Sequence, residues 1–194
     1  MSTPSKWTWT QRVGLVGGIL ALAAVVLRAM GRTPWGAANG PGFWVGSPRG
    51  SLTSQVLFDP YALTHVSHGL VFFYLFSVLL TRYSREAQFG ASLLLEAIWE
   101  IVENTPYVID RFRQTTAATE YTGDSILNSL GDLLAAALGF VIAVQVVRRT
   151  RRGWVPALFL LVEALSALWI RDGMLLTTLM LIYPIPGIRE WQAG

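Results

Sequence analysis

Apolar runs without Lys or Arg alternate along the chain with polar stretches that hold almost all of its basic residues. The runs are Val13–Leu27, Tyr61–Thr81, Ala87–Ile109, Ser125–Val147, Gly153–Ile170 and Gly173–Ile188. A hydrocarbon core about 30 Å thick is crossed by about 20 helical residues, and inside it a helix satisfies its own backbone. The pattern therefore predicts an all-α, polytopic membrane bundle of five to six transmembrane helices in a single transmembrane domain over residues 1–194. The helices are expected near 13–29, 61–81, 87–105, 125–147, 154–170 and 173–188. The last run is short and contains Pro184 and Pro186, so it either spans with Arg189 snorkelling or lies re-entrant.

The flanks of the runs set an orientation. Lys6 and Arg12 precede the first run and Arg28 closes it with no clean small-residue cleavage site, the pattern of a retained signal anchor. Arg148, Arg149, Arg151 and Arg152 stand together directly after the fourth run, and basic residues in a short loop at a helix end mark the cytoplasmic side. That puts the N-terminus in the cytoplasm and the loops 30–60 and 106–123 outside. The first loop is rich in Gly, Pro and Ser and carries Trp35, Phe43 and Trp44, which suit the headgroup level. The second, with Asp110, Arg111, Arg113 and Glu120, is expected to be a solvated loop.

Composition narrows the class. With 53% apolar and 14% charged residues and a mean hydropathy of +0.45, the chain is not disordered, fibrous or nucleic-acid-binding. Its net charge of +3 comes from arginines outside the runs and reports topology and lipid headgroups. Without Cys, disulfides, thiolate metal sites and Cys nucleophiles are excluded.

Ionisable residues inside the spans are the exception that carries chemistry. Pro60 before the second helix and Pro106 after the third act as rulers. At about 1.5 Å per residue, His65 and His68 lie roughly 7–12 Å below the outer end of helix two. On the same scale Glu103, Glu100 and Glu96 lie roughly 3–14 Å below the outer end of helix three. With Asp124 as N-cap, Asn128 and Asp132 lie roughly 6 and 12 Å down helix four, and Glu163 roughly 10 Å down helix five. All fall in the outer half of the bilayer; the inner halves are almost purely apolar.

Spacing adds a direction to the depth. Glu96, Glu100 and Glu103 form one helical stripe, Asp124, Asn128 and Asp132 another, and His65 and His68 share a face. Facing lipid would cost on the order of 2.5–3.5 kcal/mol for each charge, so the stripes should converge on one polar centre. The catalytic candidates are Glu100, Glu103, Asn128 and Asp132, and the metal-ligand candidates His65, His68 and Glu100. Glu96, Asp124, Glu163, Arg171 and Asp172 are candidates for substrate contact or for the supporting network. Blander roles stand beside these: Asp124 as a helix cap, Glu163 as a packing pair, Trp99 and Trp169 as interfacial groups, a lone histidine as packing glue.

The segments DPYALTHVSHG (59–69), LLLEAIWEIVENTPYVIDRFR (93–113), YTGDSILNSLGDLLAAALGF (121–140) and IRDGMLLTTLMLIYPIPGIREWQ (170–192) resemble a family of small, uncharacterised alphaproteobacterial inner-membrane proteins. The resemblance implies a multi-pass protein of the bacterial inner membrane and brings no activity. Asp124, Asn128, Gly131 and Gly139, preceded by Glu96 and Glu100, also match a looser pattern of the VanZ-like membrane proteins, in which paired histidines have no place.

Three functions remain open. The first is a metal-dependent enzyme acting on a lipid or lipid-linked substrate at the outer leaflet, with a divalent metal such as zinc or iron on imidazole and carboxylate ligands. Neither His-Glu-x-x-His nor the Glu-x-x-His of di-iron bundles is present. The second is a proton- or cation-coupled transporter, and the third a non-catalytic membrane subunit whose polar network docks a protein partner or a second copy. Membrane lipid is a partner in each; nucleic acid is a partner in none.

Overall fold

Thr8 opens the first helix with a reciprocal capping box to Gln11, and α1 runs over Trp9–Ala29. The computed structural model describes residues 7–36 and 40–194, so Lys6 of the orientation signal lies outside the described residues. After a long loop come α2 (Ala62–Leu79), α3 (Arg85–Glu103), α4 (Pro106–Thr115), α5 (Ile126–Arg149), α6 (Trp154–Ile170), α7 (Met174–Ile182) and α8 (Pro186–Ala193). Among the described residues the fold is all-helical, with one isolated bridge between Trp44 and Phe58.

Two expectations are corrected. Residues 106–115 are a helix, because Thr105 caps the Val108 N–H and Pro106 takes the first helical position, where its missing N–H is harmless. The sixth run does not form one helix. It is α7 and α8, split at Tyr183–Ile185 around Pro184, and α7 is itself bent 75° away from α6. Among the described residues three helices, α1, α2 and α5, are long and apolar enough to cross a membrane, and the bent pair α6–α7 makes four if taken as one span. The five to six spans expected are thus met in part, and the chain has the make-up of a membrane protein. Its α3 is long enough, at 19 residues, but carries Glu96, Glu100 and Glu103.

The close pair is α2 with α5. A Cβ at Gly69 would collide with the Ala136 carbonyl, and one at Gly139 with the Val66 carbonyl, so the two backbones touch where small residues permit it. Phe73 and Phe140 stack edge to face beside this contact, 5.3 Å between centroids. Helix α3 lies against α1 and α5 through Ile19, Ala23, Leu93, Ala97 and Leu133.

The two ends of the bundle differ. At one, Arg12 pairs with Glu86 at 2.8 Å and Arg152 donates to the Ser77 carbonyl. At the other, the loop after α1 folds onto the start of α5. The Ser125, Ile126 and Leu127 N–H groups donate to the carbonyls of Ser54, Thr33 and Pro34, satisfying donors that a helix start leaves free. A Cβ at Gly131 would strike the Leu57 carbonyl, so this loop is packed into the bundle.

Candidate functional site

Helices α2, α3 and α5 meet at a buried set of imidazoles and carboxylates. Glu96 is fully buried, and its carboxylate accepts from His65 Nδ1 at 2.6 Å and from His68 Nδ1 at 2.9 Å. Both rings being held through Nδ1, each presents Nε2 as its remaining nitrogen, and the rings stand edge to face with centroids 5.0 Å apart. On its other side the His65 Nε2 lies 3.8 Å from Asp132 Oδ1. Glu100 Oε1 is 3.4 Å from His65 Nδ1 but makes no hydrogen bond with it. Both Glu100 oxygens and Asp132 Oδ1 are buried without a partner.

A cavity of about 790 Å³ opens above this set. His65, His68, Asp132 and Asn128 line it, with Trp99, Glu103, Asp124 and Tyr121 further out and Arg49 and Arg171 among its other lining residues. Glu96 and Glu100 stand behind its wall. Among the groups whose ligand atoms fall within 4.8 Å of one another are two that share His65: one with His68 and Glu96, the other with Glu100 and Asp132.

The structure sorts the expected residues. Glu100 and Asp132 come together beside His65, whereas Glu103 sits about one turn above Glu100 on the cavity wall. Asn128 lines the cavity too, but its amide donates to the Val56 carbonyl, 2.9 Å away, and so holds the packed loop. His68, expected as a metal ligand with His65 and Glu100, pairs with Glu96 instead, because α2 and α3 bring it level with the earlier turn. Asp124 is not the cap of α5: Ser125 caps it, and Asp124 instead accepts from the Asn104 amide at 3.0 Å and the Tyr121 hydroxyl at 2.9 Å.

Glu163 lies away from the histidines and takes its alternative, structural part. It accepts from Ser67 Oγ and from the Met174 and Leu175 N–H groups, capping α7 where α6 breaks. Asp172 accepts from the Gly173 N–H and the Thr177 hydroxyl at the same break. Arg171, in the left-handed conformation with φ 55°, ends α6 and donates to the Trp191 carbonyl.

Two residues outside the expected set, Asn104 and Asp59, complete the support. Asn104 also accepts from the Asp124 N–H at 2.8 Å, tying the end of α3 to the start of α5. The signal was there, since Glu96, Glu100 and Asn104 recur every four residues and continue the stripe better than Glu103 does. Asp59, in the loop before α2, accepts from the Ser54 and Tyr61 N–H groups, and burial pushes its carboxyl up from the ordinary range.

The family of proteins of unknown function DUF2585 matches residues 27–194. The chain belongs to this family. UPF0314 proteins are similar along almost their whole length. That of Brucella anthropi is 35% identical over 193 residues, covering 100% of this chain and 96% of the relative. That of Paracoccus denitrificans is 39% identical over 177 residues, 91% of this chain and 89% of the relative. A third, from Sphingopyxis alaskensis, is 35% identical over 181 residues, 93% and 94% of the two chains. No solved structure matches. The DUF2585 family is uncharacterised, so the centre described above has to be interpreted from its own chemistry; these matches do not show the VanZ-like resemblance.

Proposed function

We propose that this DUF2585 protein is an integral membrane enzyme that works with a divalent metal on a lipid or lipid-linked substrate at the outer face of the bacterial inner membrane. The observation that carries the reading is the placement of unpartnered Glu100 and Asp132 oxygens and His65 under a large cavity, between helices that are themselves apolar outside. Intramembrane ionisable groups are functional by default, and a cavity of this size accommodates a headgroup with part of its chain. In this arrangement α3 crosses the membrane as a fifth span, its carboxylates shielded by α2 and α5, and the arginine-rich end faces the cytoplasm.

The interior below the centre is closed by Leu70, Phe73, Leu93, Phe140 and Ala143, which supports a one-sided pocket over a transport path. The test compares membrane lipids of a deletion strain carrying the wild-type gene, the His65→Ala variant or the Asp132→Asn variant. One amphiphile should accumulate in the deletion strain and in both variant strains and fall to normal with the wild-type gene. Identical lipid profiles in all four strains would sink the reading.

A further inference from the structure

Resting on that reading, we infer that the metal is held by one imidazole and two carboxylates, His65 Nε2, Glu100 and Asp132, and that His68 is not a ligand. One possible ligand atom from each of the three lies within 4.8 Å of the others; Asp132 Oδ1 is 3.8 Å from His65 Nε2, while Glu100 Oε1 lies 3.4 Å from His65 Nδ1, the nitrogen that Glu96 holds. Donors around a four-coordinate zinc ion with bonds of about 2.1 Å stand about 3.4 Å apart; Asp132 is close to that distance from Nε2, and the unbonded Glu100 carboxylate has to turn from the Nδ1 side of the ring toward Nε2 to complete the set.

The unpartnered atoms point the same way. Glu100 is fully buried with neither oxygen hydrogen-bonded, and Asp132 Oδ1 is likewise buried and bare. Buried polar atoms are almost always satisfied, so three bare oxygens around one imidazole mark the place of a cation. The rival trio of His65, His68 and Glu96 needs no ion. Its carboxylate already accepts two N–H donors, and a metal at the Nδ1 atoms would have to displace both.

Glu96 then has a positioning role. A carboxylate on the far nitrogen of a ligating histidine fixes its tautomer and ring orientation, and at 2.6 Å Glu96 does this for His65 while anchoring His68 beside it. One nitrogen and two oxygen donors suit zinc, manganese or ferrous iron. His65 and Asp132 line the cavity, so an open coordination position would face a substrate there.

The experiment is titration of the chelator-stripped full-length protein in detergent micelles with cobalt(II), read by visible absorption, followed by displacement with zinc and elemental analysis. Wild type should take one ion per chain. Glu100→Gln and Asp132→Asn, which keep side-chain shape, should lose stoichiometric binding while circular dichroism and monodispersity stay as in wild type. Glu96→Gln should bind about 10–100-fold more weakly with an altered cobalt spectrum, as loss of an outer-shell partner does. His68→Ala should keep one ion and the wild-type spectrum.

A wild-type protein that takes up no metal overturns the inference. So does loss of the ion in His68→Ala with retention in Asp132→Asn, which would move the ion to Glu96 and leave the enzymatic reading standing. Conversely, the expected binding pattern together with unchanged membrane lipids in the deletion strain would leave the metal site and remove the lipid enzyme.

Discussion

A single buried side chain can hold two elements together, and Asn104 does so at the end of α3. Its amide nitrogen donates to the Glu100 carbonyl at 3.0 Å and to Asp124, and its oxygen accepts the Asp124 N–H. Asn104→Ala removes these bonds at once and leaves Asp124 buried with fewer partners. The expected loss is on the order of 1–3 kcal/mol for each orphaned group, seen as a lower midpoint in thermal or denaturant unfolding in detergent. An unchanged midpoint would show that the Tyr121 hydroxyl suffices for Asp124. Glu163 makes the same point for the α6 break, since Glu163→Ala leaves the first N–H groups of α7 without their acceptor. Its companion Asp172 holds the following residues, so the change should loosen α7 locally, measurable as faster hydrogen exchange over 174–182 with α2 and α5 unaffected.

At the scale of helices, the site depends on how near α2 comes to α5. Gly69 and Gly139 are the positions at which the two backbones meet, and this approach is what brings His65 of α2 beside Asp132 of α5. Gly139→Leu should force the helices apart, costing at least about 1–3 kcal/mol as overpacking does, and should weaken metal uptake by separating the ligands. Gly17→Leu on α1 is the control. Apart from its chain neighbours and its own helix backbone, no heavy atom lies within 4 Å of a Cβ built there, so stability and metal content should stay at wild-type levels. Equal damage from both substitutions would mean that the close approach of α2 and α5 does not govern the centre.

For the molecule as a whole, the testable quantity is which end faces which compartment. The protein has no cysteine, so single cysteines report without background. Arg149→Cys at the end of α5 should resist a membrane-impermeant thiol reagent in intact spheroplasts and react after lysis. Tyr107→Cys, at a position 79% exposed at the start of α4, should react in intact spheroplasts. The reverse pattern would turn the cavity toward the cytoplasm. Protection of both positions would bury one of the two ends in the bilayer and contradict the crossing of α3.

The pattern of the chain determined the helical class, the positions of α1, α2, α3, α5 and α6, and the gathering of polar groups toward one end. These follow from local physics: apolar runs of span length, Ser, Thr and Pro at helix starts, and carboxylates repeating every three or four residues. It also marked His65, Glu100 and Asp132, because an ionisable group in a span is expensive wherever it faces. Tertiary structure alone decided the pairing. Periodicity says which residues share a face of one helix, not how far α2 slides along α3, and that slide put His68 on Glu96 and left Glu100 to His65 and Asp132. It likewise turned Asp124 from a cap into a link, since Ser125 was free to cap α5 and Asn104 stood opposite Asp124. The break between α6 and α7 was hidden for the same reason: the acceptor that stabilises it, Glu163, lies 11 residues before the N–H it receives from Met174. Such contacts between distant residues exist only once the helices have packed.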